Sequence, residues 1–491
     1  MALLKPISAL GGICLLLMLA QGLPAADYGV YFSFWALIEI SVLVSNFGAF
    51  HAVYRYVHAS VDRETGRLKV FGPLGVIACY RIGTLILVAC GVHWLTPGLA
   101  EWLGVPLLAK YSVALAWVVL FEGGARFVET VFDAMLEQAR TQFSTLFRAI
   151  SKLLLVAALV LNDRLSIDAV VWVEAMVAVM GFLMAIFLFW RVPRERSSHA
   201  HEDDFPGWRV AAGFLFPAFA AQVLGVFYGP DILKMVLGAH AGVEQVAVFG
   251  FCYAMAAVVQ RYLPANILAG MFRPVFVAAA RQQGQLLSTV FAVVVKVNMI
   301  FVLAALSATV LIKDSLLEQV AAGAYSKDGW VLVSLMLCML PIALHACVSM
   351  LCLAMGTSWA PLGATFLAAT CAFGAPALAS DHGAVGVTWL LLVAESVWCC
   401  SCIALLVWGG LWPRASGWLR YGANALMCAA LVLLGLMGQE MGGAPWLISA
   451  LVPVVYIACS LRFGLFSSDE AQKMLSVMPG GHRLRRWMGL S

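Results

Sequence analysis

The sequence predicts an all-α membrane protein that crosses the bilayer many times, and three observations support this prediction. Of its 491 residues 63% are hydrophobic and 11% are charged, whereas ordinary soluble domains carry about 25% charged residues. The mean hydropathy is +0.93. Apolar stretches long enough to span a bilayer as a helix, about 20 residues each, follow one another along the whole chain. Such a chain has to fold within the membrane.

Fourteen stretches have spanning length, and short loops separate them. They lie at about residues 4–22, 29–50, 73–95, 107–127, 143–161, 169–190, 210–236, 244–262, 287–312, 330–355, 360–379, 384–408, 421–438 and 444–462. The first also has the outline of a signal peptide, with Lys5 before an apolar core and Ala25 and Ala26 after it. Cleavage there would leave the other thirteen spans unchanged. No predicted loop exceeds about thirty residues, so we expect the function to lie within the membrane.

The positions of Lys and Arg fix a predicted orientation. With both termini in the cytoplasm and an even number of spans, 24 of the 30 basic residues lie on the cytoplasmic side and four lie outside. Arg81 and Lys234 remain within spans. Because cytoplasmic loops are enriched in Lys and Arg, this asymmetry supports the count of fourteen spans.

The net positive charge of the chain does not indicate a nucleic-acid partner. The net charge of +4 comes from residues in short loops between apolar runs, where they set topology, so we expect no nucleic-acid partner. The 13 cysteines lie mostly inside apolar runs and do not form two CxxC motifs that could bind a metal together. They are typical of small core residues, and we predict neither a zinc nor a redox site.

The chain divides into four predicted parts. These are an N-terminal six-helix bundle over 1–190, a cytoplasmic linker over 191–209, a C-terminal six-helix bundle over 210–408, and two additional helices with a basic cytoplasmic tail over 409–491. The linker carries His199 and His201 beside acidic residues. Mixed charges of this kind are typical of a solvated segment, so we predict no metal site there.

The second bundle begins as the first does. A shift of 218 residues places DYGVYFSFWA at 27–36 over QVAVFGFCYA at 245–254, with Val30 over Val248 and Tyr31 over Phe249. Repeated bundles are common among transporters, which bind their substrate where the repeats meet. The sequence therefore predicts a duplicated six-span bundle, with two pseudo-symmetric halves.

Three stretches resemble a known family. They are LPAADYGVYFSFWALIEISVLVSNFGAFHAVYRY at 23–56, GFLFPAFAAQVLGVFYGPDILKMVLGAHAGVEQVAVFGFCYAM at 213–255, and SSDEAQKMLSVMPGG at 467–481. The chain resembles the polysaccharide flippases of the Wzx type, in the superfamily that also holds the MATE drug exporters and the lipid II flippases. This resemblance implies a non-enzymatic, alternating-access carrier, in which the two bundles face each other across a central cavity. Its substrate would be an undecaprenyl-pyrophosphate-linked oligosaccharide.

The resemblance also implies the membrane in which the protein lies and the process that it serves. The protein would lie in the bacterial inner membrane among its lipids and serve O-antigen or exopolysaccharide synthesis, next to polysaccharide polymerase or export machinery. It would need no cofactor beyond a coupled proton or sodium ion. The alternative is an ion-coupled, MATE-like exporter of small molecules or drugs, for which intramembrane carboxylates would matter most.

Ionisable residues at bilayer depth are costly, so each is a candidate cavity residue. Glu39 lies near the middle of span two, and Arg81 lies eight residues into span three. Arg81 would either hold a pyrophosphate through a bidentate contact or pair with Glu39. In span nine, Lys296 and Asn298 are candidates to line the cavity.

Further polar residues lie in spans seven, ten and twelve. Gln222 is a candidate for hydrogen bonding to sugar hydroxyls. Asp231 and Lys234 are three apart, so they would pair with each other or help to gate the outer mouth. His345 and Glu395 are single polar residues in apolar runs, and both are candidates to relay protons if transport is coupled to an ion.

Span four ends in a regular row of charges. Glu122, Arg126, Glu129, Asp133, Glu137 and Arg140 lie three or four residues apart, on one helical face. The pattern predicts that the helix continues into the cytoplasm with a solvated charged stripe. Within this row, Glu122 and Arg126 are candidates for an inner gate.

Overall fold

The computed structural model describes residues 4–57, 68–69, 72–135, 137–192, 194–195, 208–263, 284–320, 325–355, 357, 359–412 and 418–462. The fold is an all-α polytopic membrane fold. Within the described residues it has sixteen α-helices: α1 (Leu4–Gly22), α2 (Ala25–Val44), α3 (Ala49–Tyr56), α4 (Pro73–Trp102), α5 (Ser112–Ala134), α6 (Gln138–Leu161), α7 (Ile167–Trp190), α8 (Trp208–Val226), α9 (Pro230–Ala241), α10 (Val243–Arg261), α11 (Gly284–Val320), α12 (Gly329–Met355), α13 (Trp359–Thr370), α14 (Ala375–Trp408), α15 (Trp418–Glu440) and α16 (Pro445–Arg462). The helix α14 has a kink at Gly383, where the backbone is not helical.

The prediction of about fourteen membrane spans is confirmed. Eleven helical stretches are long and apolar enough to cross a membrane, and Leu10–Gly22 and Pro445–Ser460 are shorter apolar helices. One of the eleven, Trp359–Trp408, contains both α13 and α14. Another, Leu215–Ala241, contains most of α8 and all of α9 as one broken span, whereas α2 is a candidate span by itself.

The break in span two lies at residues 45–48. Phe47 and Gly48 have φ values of 39° and 82°, in the left-handed region that ends a helix. The side-chain oxygen of Asn46 then accepts a hydrogen bond from the backbone N–H of Phe50 (2.9 Å) at the start of α3. The predicted continuous span over 29–50 is therefore two helices joined by a turn.

The break in span seven has a different cause. Residues 227–229 separate α8 from α9, Gly229 is the N-cap of α9, and Pro230 occupies its first turn. Proline lacks the N–H that would continue the hydrogen bonds of α8, but it fits the first turn of a new helix. The predicted span over 210–236 is accordingly broken at this point.

Two short strands join distant loops. The strands β1 (Leu68–Lys69) and β2 (Arg194–Glu195) pair in parallel, with Leu68 opposite Arg194. They connect the loop after span two to the start of the predicted linker. Residues 196–207 of that linker, with His199 and His201, lie outside the described residues, as does the basic tail over 463–491, and α8 begins at Trp208, inside the predicted linker.

The chain forms two compact units. Unit 1 comprises Met1–Phe251 and Ala375–Val387, and unit 2 comprises Cys252–Gly374 and Thr388–Ser491. The core of unit 1 includes buried residues of α3, α4, α5 and α7, and a core of unit 2 joins α11, α15 and α16. The helices α8 and α9 thus belong with the first six spans. The four predicted parts and the duplication stay predictions.

Gly29 allows α2 to approach the start of α10 within unit 1. A Cβ at this position would overlap the backbone oxygen of Val243, and overpacking of this kind costs about 1–3 kcal/mol. We expect Gly29→Ala to lower the free energy of unfolding by that amount in an SDS titration of the purified protein. Gly91→Ala is the control, because a Cβ there would meet nothing within 4 Å. Equal effects of the two variants would contradict this packing account.

Candidate functional site

Five charged side chains of unit 1 form a continuous row of ion pairs, which we call the charge chain: Glu39, Arg126, Glu122, Arg148 and Glu129. Arg126 donates two hydrogen bonds to Glu39, at 2.7 and 2.6 Å, and its Nε donates to Glu122 at 2.9 Å. Arg148 pairs with Glu122 at 2.5 Å and donates to both oxygens of Glu129 at 2.6 and 2.7 Å. Each guanidinium therefore joins two carboxylates.

Three helices supply the charge chain. Glu122, Arg126 and Glu129 are spaced four and three residues apart on α5, so they share one face, while Glu39 lies on α2 and Arg148 on α6. On α7, a Cβ at Gly181 would overlap the side chain of Arg148. The small residue leaves room for that guanidinium between the helices.

This arrangement corrects the prediction of a solvated stripe. The helix α5 ends at Ala134, and α6 begins at Gln138, so the row of charges does not continue on one helix to Arg140. Glu122 and Glu129 are buried, at 8% and 7% exposure. They face α6 because Arg148 compensates their charge, a contact between helices that spacing within one helix cannot reveal.

The exposure of the charge chain changes along its length. The side chains of Glu39 and Arg126 are 37% and 30% exposed, whereas those of Glu122, Arg148 and Glu129 are 10%, 12% and 9% exposed. One end is thus accessible to a ligand. The other end is part of the interior of the bundle.

The accessible end opens into a cavity of about 360 Å³, which we call the polar cavity. Four predicted site residues line it: Glu39, Arg126, Gln222 and Asp231. Gln222 accepts a hydrogen bond from Asn46 of the turn between α2 and α3 (3.4 Å). The structure therefore brings together residues of α2, α5, α8 and α9 that are far apart in the sequence.

A second cavity of about 460 Å³, which we call the apolar groove, lies along α8, the helix that carries Gln222. Its lining includes Phe47 and Ala49 next to the break in span two, Tyr80 on α4, and Leu215 and Phe219 on α8. Gln222 and Val226, further along α8, line the polar cavity. The two cavities thus follow each other along α8, and only one helical turn separates Phe219 from Gln222.

Arg81 lies next to these cavities but lines neither of them. It is fully buried, and its Nη1 and Nη2 donate to Ser45 Oγ (2.8 Å) and the carbonyl oxygen of Val42 (3.4 Å). Its Nε has no hydrogen-bond partner, and no carboxylate of the described residues pairs with it. Glu39, the partner considered for Arg81, pairs with Arg126 instead.

Asp231 and Lys234 form the ion pair that their spacing indicates. Lys234 Nζ donates to Asp231 Oδ1 at 2.8 Å. The Lys234 side chain is 9% exposed and lies 5.8 Å from the centre of the Phe32 ring. Asp231 is the member of the pair that reaches the polar cavity.

The predicted residues of span nine lie in unit 2. Lys296 is 1% exposed, and its ammonium lies 5.9 Å from the centre of the Tyr421 ring. Asn298 donates to the carbonyl oxygen of Val294 (2.7 Å) and lines a mostly apolar cavity of about 340 Å³. Lys296 is not among the residues that line this cavity.

The two single polar residues of spans ten and twelve meet in unit 2. His345 Nδ1 lies 2.8 Å from Glu395 Oε2. The His345 ring stacks on Trp398, with ring centres 3.4 Å apart and an angle of 12° between the planes. Two residues that look isolated in the sequence therefore form one ionisable pair.

Sequence reasoning missed part of this charge network. Lys152 pairs with Glu174 at 2.6 Å, and Glu174 Oε1 also accepts from the Tyr31 hydroxyl (2.8 Å) and Trp35 Nε1 (3.2 Å). Glu174 lies inside a predicted span, so the rule on intramembrane charges could have found it. Arg148 and Lys152 were counted among the basic residues of the cytoplasmic side, although both fall inside the predicted span over 143–161.

No family model and no curated protein matches this sequence. Similarity appears at the level of structure. A lipid II flippase MurJ in an inward closed conformation matches with a TM-score of 0.70 and 9% identity, over 94% of this chain and 98% of that chain. An inward-facing multidrug resistance MATE family transporter of the MOP superfamily matches with a TM-score of 0.64 and 14% identity, over 85% and 95%.

A third solved structure is a MOP superfamily transporter from Pyrococcus furiosus, with a TM-score of 0.54 and 12% identity over 83% of this chain and 92% of that chain. At identities of 9–14% these matches establish the fold. The chain has the fold that lipid II flippases and MATE transporters share.

Proposed function

We propose that this protein is a flippase that carries an undecaprenyl-pyrophosphate-linked oligosaccharide across the bacterial inner membrane by alternating access. The match to a lipid II flippase over 94% of the chain supports this. On this proposal the protein is a transporter and not an enzyme, both termini are cytoplasmic, and polysaccharide polymerase or export machinery receives the product.

The observation that carries the proposal is the succession of the two cavities along α8. A lipid-linked sugar has an anionic, hydroxyl-rich head joined directly to a long hydrocarbon chain. The polar cavity offers a guanidinium, an amide and carboxylates to the head, and the apolar groove offers aromatic and aliphatic side chains to the first part of the hydrocarbon chain. Because one helical turn separates them, one amphiphile can occupy both.

Arg126 is the residue that we assign to the pyrophosphate. Its two terminal nitrogens already hold the two oxygens of Glu39 at 2.6 and 2.7 Å, the bidentate geometry in which guanidinium binds carboxylate or phosphate. A pyrophosphate entering the polar cavity would replace Glu39 on this fork. Arg148 would keep Glu122 compensated during the exchange.

A second candidate function is export of cationic small molecules. The polar cavity has two carboxylates, Glu39 and Asp231, against the single guanidinium of Arg126, and an excess of negative charge suits a cation. Multidrug transporters also share the fold. On this alternative Glu39 and Asp231 would hold the substrate.

Reconstitution separates the two candidates. In proteoliposomes containing the purified protein, we expect a labelled undecaprenyl-pyrophosphate oligosaccharide to become accessible to an externally added glycosidase, and a cationic dye not to be transported. Shortening the lipid to two prenyl units should slow translocation at least tenfold, because a tenfold change corresponds to about 1.4 kcal/mol, the contribution of about two buried CH₂ groups. Dye transport without lipid translocation would establish the exporter instead.

A further inference from the structure

The helices α12 and α14 of unit 2 meet along a seam with a regular repeat. Cys338 Sγ donates to the carbonyl oxygen of Thr388 (3.5 Å), His345 pairs with Glu395, and the sulfurs of Cys352 and Cys402 lie 4.0 Å apart. The contacts advance by seven residues on both helices, as in parallel helices that pack along one face. The outer two contacts are small and neutral, and the middle one is ionisable.

The contact between His345 and Glu395 is held in place by a buried tryptophan. Trp398, on which the His345 ring stacks, is 1% exposed, and its Nε1 donates to Thr365 Oγ1 of α13 at 2.9 Å. The face of an indole ring attracts a cation. The site therefore offers a protonated imidazole two favourable neighbours, the Glu395 carboxylate and the Trp398 ring.

We propose that His345 and Glu395 form the proton-coupling site of this transporter, binding one proton between Nδ1 and Oε2. The proposal rests on the transport function proposed above and adds the coupling ion to it. With the proton bound, the pair is neutral as a whole. Without it, a carboxylate faces a neutral ring, and an uncompensated charge in an apolar seam has to gain water.

The helix α12 contains a point at which this seam can open. Pro341 lies one turn before His345 and removes a backbone hydrogen bond from the helix, and its carbonyl oxygen accepts from Cys399 Sγ of α14 (3.3 Å). Release of the proton would therefore favour separation of α12 from α14 close to Pro341, where the hydrogen bonding of α12 is already weakened. Binding of the proton would close the seam again.

Few other titratable groups surround the pair. The thiols of Cys338 and Cys399 interact electrostatically with the carboxylate of Glu395. The helix α11 contributes Lys296, whose ammonium lies over the Tyr421 ring of α15, and α13 has no ionisable residue. Among the described residues of these helices, Glu395 is the carboxylate at the seam.

The test uses the full chain in proteoliposomes with an imposed pH or sodium gradient. For one proton per substrate, a gradient of one pH unit should change steady-state accumulation about tenfold. We expect His345→Gln and Glu395→Gln to reduce this ratio to less than about twofold. Cys352→Ala, one repeat further along the seam, should respond as the wild type does. A normal pH response in either substituted protein, or a response of the wild type to sodium alone, would overturn the proposal.

A second measurement needs no substrate. Protonation of His345 should quench the fluorescence of Trp398, so the wild type and Trp398→Phe should differ in the pH-dependent part of their tryptophan emission. Identical pH profiles would overturn the proton site even if both glutamine variants fail to fold. If the wild type moves neither lipid-linked oligosaccharide nor dye, the proposed transport function fails, and the fluorescence profiles still decide whether His345 binds a proton.

Discussion

Replacing Arg148 by alanine is expected to lower the free energy of unfolding by about 3–5 kcal/mol, the typical cost of removing one partner from a buried ion pair. Arg148 joins Glu122 and Glu129, whose side chains are 10% and 9% exposed. Without it, Glu122 keeps Arg126, but Glu129 loses both hydrogen bonds to its cation. An SDS titration of the purified protein in mixed micelles measures the change.

Two comparisons separate this effect from general damage. Lys110→Ala breaks an ion pair with Asp168 whose side chains are 58% and 50% exposed, so it should cost at most about 1 kcal/mol. Glu129→Gln combined with Arg148→Met should cost at least about 1 kcal/mol less than the sum of the single changes. Additive effects would mean that the pair contributes no coupling energy.

Replacing Arg126 by alanine is expected to have the opposite balance, with a small loss of stability and a large loss of transport. Glu39 is 37% exposed to the polar cavity, so water can solvate it after Arg126 is removed. We expect a loss of stability of about 1 kcal/mol. Translocation of lipid-linked oligosaccharide should fall at least about a hundredfold, because each of the two hydrogen bonds lost to a charged group contributes about 1.5–3 kcal/mol.

Arg126→Lys is the matched substitution for this prediction. It keeps the positive charge but loses the planar fork, so translocation should be intermediate between those of the wild type and Arg126→Ala. Rates are compared at equal amounts of reconstituted protein. If Arg126→Ala translocates as fast as the wild type, the assignment of Arg126 to the pyrophosphate is wrong.

Much of the fold was predictable because membrane helices leave a strong local signal. Length and hydropathy placed the spans, with ends that differ from those of the observed helices by up to nine residues, and the basic loops supported their number. The breaks were harder to predict. Gly229 and Pro230 mark a break by type, but the turn at Phe47 and Gly48 depends on backbone angles that a sequence with many glycines does not single out.

The sequence identified residues of the candidate site because polar and ionisable side chains are costly in a membrane. It did not identify which of these residues contact one another. Glu39, Arg126, Gln222 and Asp231 were identified from their depth or position, and they line one cavity. Arg81 was identified for the same reason, yet it is fully buried against Ser45. Depth along a helix follows from the sequence, whereas the direction a side chain faces depends on how neighbouring helices are rotated and packed.

The sequence by itself determined that this chain is a polytopic all-α membrane protein, where its spans lie, and which ionisable residues the membrane makes costly. These properties follow from the free energy of transfer of each segment into the bilayer, which is local. Only the tertiary structure decided that Arg126 holds Glu39, that Arg148 compensates Glu122 and Glu129, and that His345 meets Glu395. Each of these pairs joins different helices, and ion pairing inside a membrane depends on distances of a few ångströms that only packing sets.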